Sequence, residues 1–473
     1  MRFVTERSAE PDAHLSSHRT MDGRVIIVVA LALYFAVVAL ARMLWSFDVW
    51  PGLGVPSGPT LFYDARNVAA AADCQRLGYD PLVDNPCDPT NRVLVYPRVW
   101  LLLGSLGLEQ SHTPLFGTVV VALFLASFLL LIGRLTPRQG VVAAIAVCSP
   151  AVMLAVERGN MDLVLFAVFV VAILLWRAKP GIALVVSPVL IVLAAVAKFY
   201  AAFALPVYAF TRERRIRWVV AACVAIPVIY ILLSLDDIRA IASAPEGGLL
   251  FSYGIRILPG WLYHLVVPEA WQGQWVVAQG LVVVPALALA VVVWVRLRRR
   301  FSPLLLGSLQ RQSGSLLAFH FGVFVYLGTF LTRKNGDYRL VFLLLTLPQL
   351  FIWIADHQDD RRGIARATLV AVLLELWIGP LSRHVAPLDE LGSWGLAGFY
   401  IAMLAGSVPR LSLWKWEERW PRAKTIGAGG PSPSNVPESI AGLPEGARPA
   451  EYSKDAPRHE RDRFRVEPDG GAG

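Results

Sequence analysis

The sequence predicts an all-α protein, a polytopic bundle of transmembrane helices. Of its 473 residues, 56% are hydrophobic and only 17% are charged, and the mean hydropathy is +0.54. A soluble domain usually carries about 25% charged residues. Apolar runs of about membrane-spanning length also recur from residue 25 to beyond residue 400. These features argue against a cytosolic enzyme, a secreted disulfide scaffold and a DNA-binding domain.

The apolar runs predict about twelve spans. Residues 25–47 form the first, a retained signal anchor, because the run is too long for a cleaved signal peptide and no small-residue cleavage site follows. Several later runs are shorter than the ~20 residues of a straight span, as expected of broken helices that line a cavity. The later candidate spans are 115–133, 141–155, 161–176, 181–197, 200–210, 218–235, 275–295, 316–331, 340–355, 364–381 and 394–407.

The distribution of Lys and Arg predicts the orientation. The net charge is +9, and basic residues concentrate in alternate turns such as 212–217 and 296–300. The positive-inside rule makes these turns cytoplasmic, with both termini on the same side. We therefore predict three parts: a cytoplasmic tail 1–23, a transmembrane domain 24–410 and a cytoplasmic tail 411–473. The transmembrane domain carries a large first external loop at 48–112. The last tail is rich in Pro, Gly, Ser and charge, a composition typical of disorder.

The four cysteines divide by location. Cys148 and Cys223 lie in apolar runs and are expected to be packing residues. Cys74 and Cys87 share the first loop, and they are expected to form a disulfide if that loop faces an oxidising exterior. The alternative is two unpaired thiols. No CxxC or His/Cys cluster indicates a zinc site.

Ionisable residues near the membrane indicate function, because burying them is costly. Asp64 follows the first span, and its carboxylate is a candidate general base. The alternative interpretation is a helix N-cap or a salt bridge with Arg66. Asp48 and Asp80 remain rival bases in the same loop.

A second candidate is the abrupt polar insertion Glu157-Arg158-Gly159-Asn160-Met161-Asp162 between two apolar runs. Gly159 allows a tight turn, Asn160 suits a helix cap, and Arg158 suits an anion. The alternative is a plain hairpin turn with an internal Glu–Arg pair.

Two further cationic segments lie at the predicted external face. Lys198 stands between two apolar runs and either contacts a phosphate or snorkels to the interface. Segment 333–339, which contains Tyr338 and Arg339, has a high cation density for that face. Its alternative role is an interfacial anchor. Arg and Lys both suit phosphate.

A carboxylate, several cations and a membrane scaffold together fit glycosyl transfer from a lipid-phosphate sugar. The phosphate would meet the cations, and the carboxylate would deprotonate an acceptor alcohol. No Walker, GxGxxG or HExxH motif occurs, so the sequence gives no sign of ATP hydrolysis or a dinucleotide cofactor.

Over roughly residues 24–409, the chain resembles the superfamily C (GT-C) membrane glycosyltransferases. It is most similar to the bacterial polyprenol-phosphate-mannose-dependent mannosyltransferase group. The ordered motifs that carry the resemblance are Phe62-Tyr63-Asp64, Gly78-Tyr79-Asp80-Pro81, Cys87-Asp88-Pro89, Tyr96-Pro97-Arg98-Val99-Trp100, Glu157-Arg158-Gly159-Asn160, Lys198-Phe199-Tyr200 and Asp337-Tyr338-Arg339-Leu340.

The resemblance implies a GT-C bundle and an inverting hexosyltransferase of the cell envelope, with Asp64 as the catalytic carboxylate. The donor would be a polyprenyl-phosphate hexose, expected to be mannose, and the acceptor a glycolipid or glycan. No cofactor or nucleic acid is implied, and a divalent metal is left open. The implied donor-phosphate contacts are Arg158, Lys198 and Arg339. The implied cavity-shaping residues are Glu157, Asn160 and Tyr338. Some relatives carry a His in the late external loop, where this chain has Asp337-Tyr338-Arg339.

Two other functions fit the same sequence. A flippase or carrier for lipid-linked sugars needs the lipid groove and the cations but no base. A non-catalytic envelope assembly protein needs neither the base nor the phosphate-binding cations.

Overall fold

The computed structural model describes residues 21–45, 48–210, 214–243, 251–260, 314–332, 334–356, 359–380 and 388–407, with the single positions 284, 288 and 292. All of them belong to one compact unit, Met1–Leu411. The predicted tail 411–473, most of the tail 1–23, the basic turn 296–300 and nearly all of the candidate span 275–295 lie outside the described residues.

The described chain is mostly helical, in agreement with the predicted all-α class. Its principal α-helices are α1 Gly23–Trp45, α2 Tyr63–Arg76, α3 Leu102–Ser105, α4 Thr113–Ile132, α5 Pro137–Val147, α6 Pro150–Arg158, α7 Asp162–Ala178, α8 Pro180–Ala197, α9 Arg214–Leu233, α10 Leu235–Ser243, α11 Gly314–Thr332, α12 Leu347–Ala355, α13 Asp359–Ile378 and α14 Leu388–Ser407. The 3₁₀ segments are Pro51–Leu53, Arg98–Leu101, Gln110–His112, Phe199–Phe210 and Asp337–Thr346.

Within the described ranges, four stretches are long and apolar enough to cross a membrane: Gly23–Leu44, Gln110–Ile132, Gly314–Thr332 and Asp337–Ala355. The number rises to six if each of two bent helix pairs is one span. The predicted count of about twelve is therefore not confirmed. Helix α7, for example, has only 17 residues, and the predicted span 200–210 is a 3₁₀ segment.

The chain between α4 and α7 shows how local signals shape the polar end of the bundle. Thr136 and Gln139 form a reciprocal capping box, and Pro137 occupies the first helical position of α5. Helix α6 then begins with a second proline and is bent by 56° from α5. It ends at Gly159, whose φ of 55° is left-handed, a conformation that glycine adopts without a Cβ clash. The turn at Gly159 leads directly to the start of α7.

Aromatic packing joins α7 to the 3₁₀ segment Asp337–Thr346. Phe166 meets Phe124 of α4 edge-on at 5.1 Å, and Phe169 lies 5.5 Å from both Phe321 and Phe342. All five rings are buried. Such ring pairs contribute about 0.5–1.5 kcal/mol each beyond their buried area. This core fixes the starts of both elements, where polar residues cluster.

A two-residue antiparallel pair holds the entrance to that 3₁₀ segment. Ser252 pairs with Gly336, and Tyr253 pairs with Asn335. The amide of Asp337 also donates to the carbonyl of Phe251 at 3.0 Å. The position of the next two residues, Tyr338 and Arg339, is therefore set by backbone hydrogen bonds.

The contact between α1 and α5 tests this packing. A methyl group on Gly140 would lie 2.3 Å from the carbonyl oxygen of Gly23, whereas one on Gly181 would meet nothing within 4 Å. Gly140→Ala forces two backbones apart, and we expect it to destabilise the protein by about 1–3 kcal/mol. Thermal unfolding in detergent measures this, with Gly181→Ala as the matched control. Equal midpoints for the two variants would contradict the packing.

Candidate functional site

Five separate chain segments meet in one charged cluster, which we define as Asp64, Arg92, Arg158, Asp162, Lys198 and Arg339. Asp64 lies in the first turn of α2, and Arg158 ends α6. Asp162 begins α7, and Lys198 directly follows α8. Arg92 comes from the loop after α2, and Arg339 from the start of the 3₁₀ segment. The cluster is a product of tertiary structure, since its members span much of the chain.

The carboxylate of Asp64 is held at both oxygens. Its Oδ2 accepts a hydrogen bond from Asn160 Nδ2 at 2.7 Å, and its Oδ1 accepts one from Arg92 Nη1 at 3.2 Å. Arg158 Nη1 approaches Oδ1 to 3.8 Å. The side chain is only 7% exposed. A carboxylate offers about four acceptor positions, so these contacts leave room for a hydrogen bond from a ligand hydroxyl.

The backbone around Asp64 is tightly determined. Phe62, which precedes α2, has a left-handed φ of 53°, an unfavourable conformation for a bulky residue. A methyl group on Gly117 would lie 2.2 Å from the Phe62 ring, and one on Gly159 would lie 3.1 Å from it. The two glycines thus let the Phe62 ring lie against two helix backbones. Phe62 itself occupies the N-cap position, so Asp64 is not the cap.

Asn160 connects the acid to a cation. Its Nδ2 donates to Asp64, while its Oδ1 accepts from Lys198 Nζ at 3.0 Å and from the amide of Asp162 at 2.9 Å. Both ends of the side-chain amide are therefore assigned by their partners. Asn160 is 1% exposed and is the physical link between Asp64 and Lys198.

Asp162 anchors two cations. Its Oδ1 accepts a hydrogen bond from Lys198, and its Oδ2 lies 3.9 Å from Arg339 Nε. Arg339 also donates to Asn335, the residue that pairs with Tyr253. Asp162 is fully buried, so it needs these positive charges as compensation.

Arg158 differs from the other cations because it makes no hydrogen bond to any residue that the structure describes. Its nearest opposite charge is Asp64 Oδ1 at 3.8 Å, and its guanidinium carbon lies 6.0 Å from the centre of the Tyr338 ring. The side chain is 27% exposed. Its N–H donors are therefore the ones best placed to bind an anion from outside.

Tyrosine rings surround the cations. Lys198 Nζ lies 4.7 Å from the centre of the Tyr96 ring, and the Arg339 guanidinium lies 4.7 Å from that of Tyr200. Tyr338 lies about equally far from Lys198 and Arg339, at 5.9 Å from each. Burial and the negative charges of Asp64 and Asp162 raise the pKa of Tyr96 well above its usual value, so this phenol stays neutral.

Asp88 holds the first loop together through hydrogen bonds next to the charged cluster. It accepts hydrogen bonds from the Thr90 hydroxyl at 2.7 Å, the Thr90 amide at 3.0 Å and Asn67 Nδ2 at 3.1 Å. Burial raises the pKa of Asp88, but these hydrogen bonds and the nearby Arg92 outweigh it and hold the pKa below its usual value. Asp88 thus contributes stability as an ionised group.

The structure brings together the three residues predicted to contact the phosphate of the sugar donor, Arg158, Lys198 and Arg339. Asp64, Asn160 and Tyr338 lie beside them. Glu157 lies apart: its Oε1 accepts the amide of Gly58 at 2.8 Å and ties the chain before α2 to α6. Neither a Glu157–Arg158 nor an Asp64–Arg66 ion pair occurs among the described residues.

The rival carboxylates lie outside the cluster. Asp48 accepts the amide of Trp50, and Asp80 pairs with Arg98 at 2.8 Å. Cys74 and Cys87 are joined in a disulfide, with their Cα atoms 5.6 Å apart.

Sequence reasoning missed Arg92 and Asp162. No local signal singled out Arg92, since the predicted first loop also contains Arg66, Arg76 and Arg98. Asp162 lies in the predicted polar insertion 157–162, where its signal is that of an acid beside an apolar run, but no separate role was assigned to it. Among the described residues, no group of three His, Cys, Asp or Glu side chains is arranged to hold a metal ion.

Comparison with protein-family models, with curated proteins and with solved structures gives no match for this chain. Any functional assignment therefore depends on the cluster itself.

The lowered pKa of Asp88 predicts a pH dependence. A carboxyl whose folded pKa is depressed contributes stability above its unfolded pKa, about 3.9, and loses it as the pH falls through the folded value. We expect protection of the first loop from hydrogen exchange to be constant from this source between roughly pH 7 and 5, and to fall as the pH drops through about 3.9 and below. Asp88→Asn should lower protection at neutral pH and flatten this profile. The exposed Asp236→Asn is the control, and a profile unaffected by Asp88→Asn would contradict the role of Asp88.

Proposed function

We propose that the protein is a membrane hexosyltransferase. It would move a hexose, expected to be mannose, from a polyprenyl-phosphate donor to a glycolipid or glycan acceptor at the external face. The observation that carries the proposal is the chain of contacts Asp64–Asn160–Lys198, flanked by the unbonded guanidinium of Arg158. It puts a candidate base beside candidate phosphate-binding groups.

The cations suit a phosphate that arrives from a lipid phase. Arg158 offers a planar set of donors, and Lys198 and Arg339 add positive charge held by Asp162. The rings of Tyr200 and Tyr338 lie beside these cations and offer flat faces for a sugar. Preorganised donors of this kind stabilise charge that develops in a transition state without reorganising.

Asp64 suits the role of general base because it is held in place yet keeps acceptor capacity. It lies in the first turn of α2, at the positive end of the helix dipole. Proton transfer requires a hydroxyl within about 2.6–3.2 Å of a carboxylate oxygen.

The proposed reaction is a single in-line displacement. Asp64 takes the proton of the acceptor hydroxyl, and that oxygen forms a bond to the anomeric carbon. The bond between this carbon and the phosphate oxygen breaks, and its electron pair leaves with the polyprenyl phosphate. The anomeric configuration inverts. Arg158 and Lys198 stabilise the departing phosphate, so strong general-acid assistance is unnecessary.

The apolar helices are compatible with a membrane protein, and they support the proposed membrane setting. The Cys74–Cys87 disulfide supports an oxidising exterior for the first loop. With that loop outside, Asp64 would act on the external face.

Removal of the base tests the proposal directly. Asp64→Asn should lower sugar transfer by about 100-fold or more, because proton removal is lost. Donor binding should change little. Transfer of radiolabelled mannose from polyprenyl-phosphate mannose to envelope glycolipids, with purified protein in lipid, measures this.

Asp80→Asn is the matched control, since it alters a carboxylate of the same loop that pairs with Arg98. Normal turnover by Asp64→Asn would move the base elsewhere, and loss of turnover in Asp80→Asn alone would assign it to Asp80. If the wild type translocates the lipid-linked sugar without transferring it, and Asp64→Asn does not affect this translocation, the protein is a carrier instead.

Arg158 has its own prediction. Arg158→Gln removes a charged donor set and should lower kcat/KM for the donor by about 10- to 100-fold, the effect of losing a charge-assisted hydrogen bond. Arg158→Lys should recover part of the loss. Arg98→Gln, which alters an exposed arginine of the Asp80 and Asp237 pairs, is the control. An assembly protein would tolerate Arg158→Gln and Arg98→Gln equally.

A further inference from the structure

Arg92 reaches the cluster from a loop that is built to hold it. We define residues 85–92 as the strap; it follows α2 in the chain and returns to its first turn. At the end of the strap, Arg92 Nη1 donates to Asp64 Oδ1 at 3.2 Å, and Arg92 Nη2 donates to the carbonyl of Tyr63 at 2.5 Å. The guanidinium carbon lies 3.2 Å from the centre of the Tyr63 ring.

The backbone of Arg92 is fixed by side chains. Its carbonyl oxygen accepts from Asn67 Nδ2 at 3.1 Å and from Asn85 Nδ2 at 2.8 Å, and both asparagines are buried. Its amide donates to Asp88 Oδ1 at 3.4 Å. The preceding Asn91 has a left-handed φ of 54°, a conformation that asparagine tolerates better than most residues.

The strap is also attached to α2 at a second point. Cys87 forms the disulfide with Cys74 of α2, and the next residue, Asp88, accepts from Asn67 of the same helix. Asp88 Oδ2 lies 3.4 Å from Arg92 Nη2. The helix that carries Asp64 thus also carries the anchors of the residue that contacts Asp64.

The direction of its hydrogen bonds separates Arg92 from the phosphate-binding candidates. The bonds of its Nη atoms go to Asp64, Tyr63 and Asp88, all in the first loop and α2. Arg158 makes no hydrogen bond within the described residues. The guanidinium of Arg92 is already hydrogen-bonded and stacked on Tyr63, and its backbone is anchored. Arg92 is therefore suited to hold Asp64, whereas Arg158 remains able to bind a ligand.

We infer that Arg92 is a positioning residue for Asp64, an inference that rests on the proposed function of Asp64 as the base. Arg92 compensates the charge of a buried carboxylate and fixes Oδ1, while Asn160 fixes Oδ2. A carboxylate held at both oxygens presents its remaining acceptor positions in one direction, which proton transfer requires.

Kinetics with three variants test the inference. Arg92→Met should lower kcat by about 10- to 100-fold, the effect of losing a charge-assisted hydrogen bond, while the donor KM stays unchanged. Arg92→Lys keeps the charge and should restore part of kcat. The control is Arg76→Met, which alters an arginine of α2 that pairs with Asp73 and Glu109 outside the cluster. A fall in kcat equal to that of Arg76→Met, or no rescue by lysine, would overturn the inference.

A double-mutant cycle needs no activity. The thermal midpoints of the wild type, Asp64→Asn, Arg92→Met and the double variant give the coupling between the two residues. We expect the double variant to be less destabilised than the sum of the single variants. Additive shifts would show that Arg92 does not act on Asp64.

The two measurements separate the possible failures. A wild type that transfers no sugar overturns the proposed function, and the cycle still decides whether Arg92 holds Asp64. A wild type that transfers sugar, with Arg92→Met as active as the wild type, overturns the inference alone.

Discussion

Charge compensation inside an apolar bundle is the constraint on which the rest of the structure depends. Isolated charges are costly to bury, so each acid of the charged cluster must meet a cation or an amide. Asp64 meets Arg92 and Asn160, and Asp162 meets Lys198 and Arg339. These pairs join α2, α7 and the segments after α8 and α11 at one end of the bundle. The aromatic core below them keeps the starts of those elements in register.

Several parts of this arrangement could be predicted from the sequence. Low charge and long apolar runs predict a helical protein, and the described chain is mostly helical. The Glu157–Asn160 insertion predicts a turn, and Gly159 forms one through its left-handed backbone. The cations expected to lie near Asp64 do so: Arg158 approaches it to 3.8 Å, and Lys198 is linked to it through Asn160.

Other parts depend on tertiary contacts that no local pattern encodes. The predicted span count treats each apolar run as a straight helix, whereas α5 and α6 bend by 56° and residues 199–210 adopt 3₁₀ geometry. Arg92 was missed because its role depends on Asn67, Asn85 and Asp88, whose side chains fold the strap back onto α2. Glu157 was expected in the cavity, yet its nearest partner is the amide of Gly58.

Asn160 has a consequence for how the site keeps its charges separate. A direct ion pair between Asp64 and Lys198 would occupy acceptor positions of the candidate base, but Lys198 pairs directly with Asp162 instead. The uncharged amide of Asn160 stands between Asp64 and Lys198. It donates one hydrogen bond to Asp64 and accepts one from Lys198, so these two charged groups are not in direct contact. The amide can be oriented in only one way, because its NH₂ group donates to the carboxylate of Asp64 and its oxygen accepts from the ammonium group of Lys198. Lys198 therefore takes its counter-charge from Asp162 and not from the candidate base, so a ligand phosphate near Lys198 and a ligand hydroxyl near Asp64 would not compete for one ion pair.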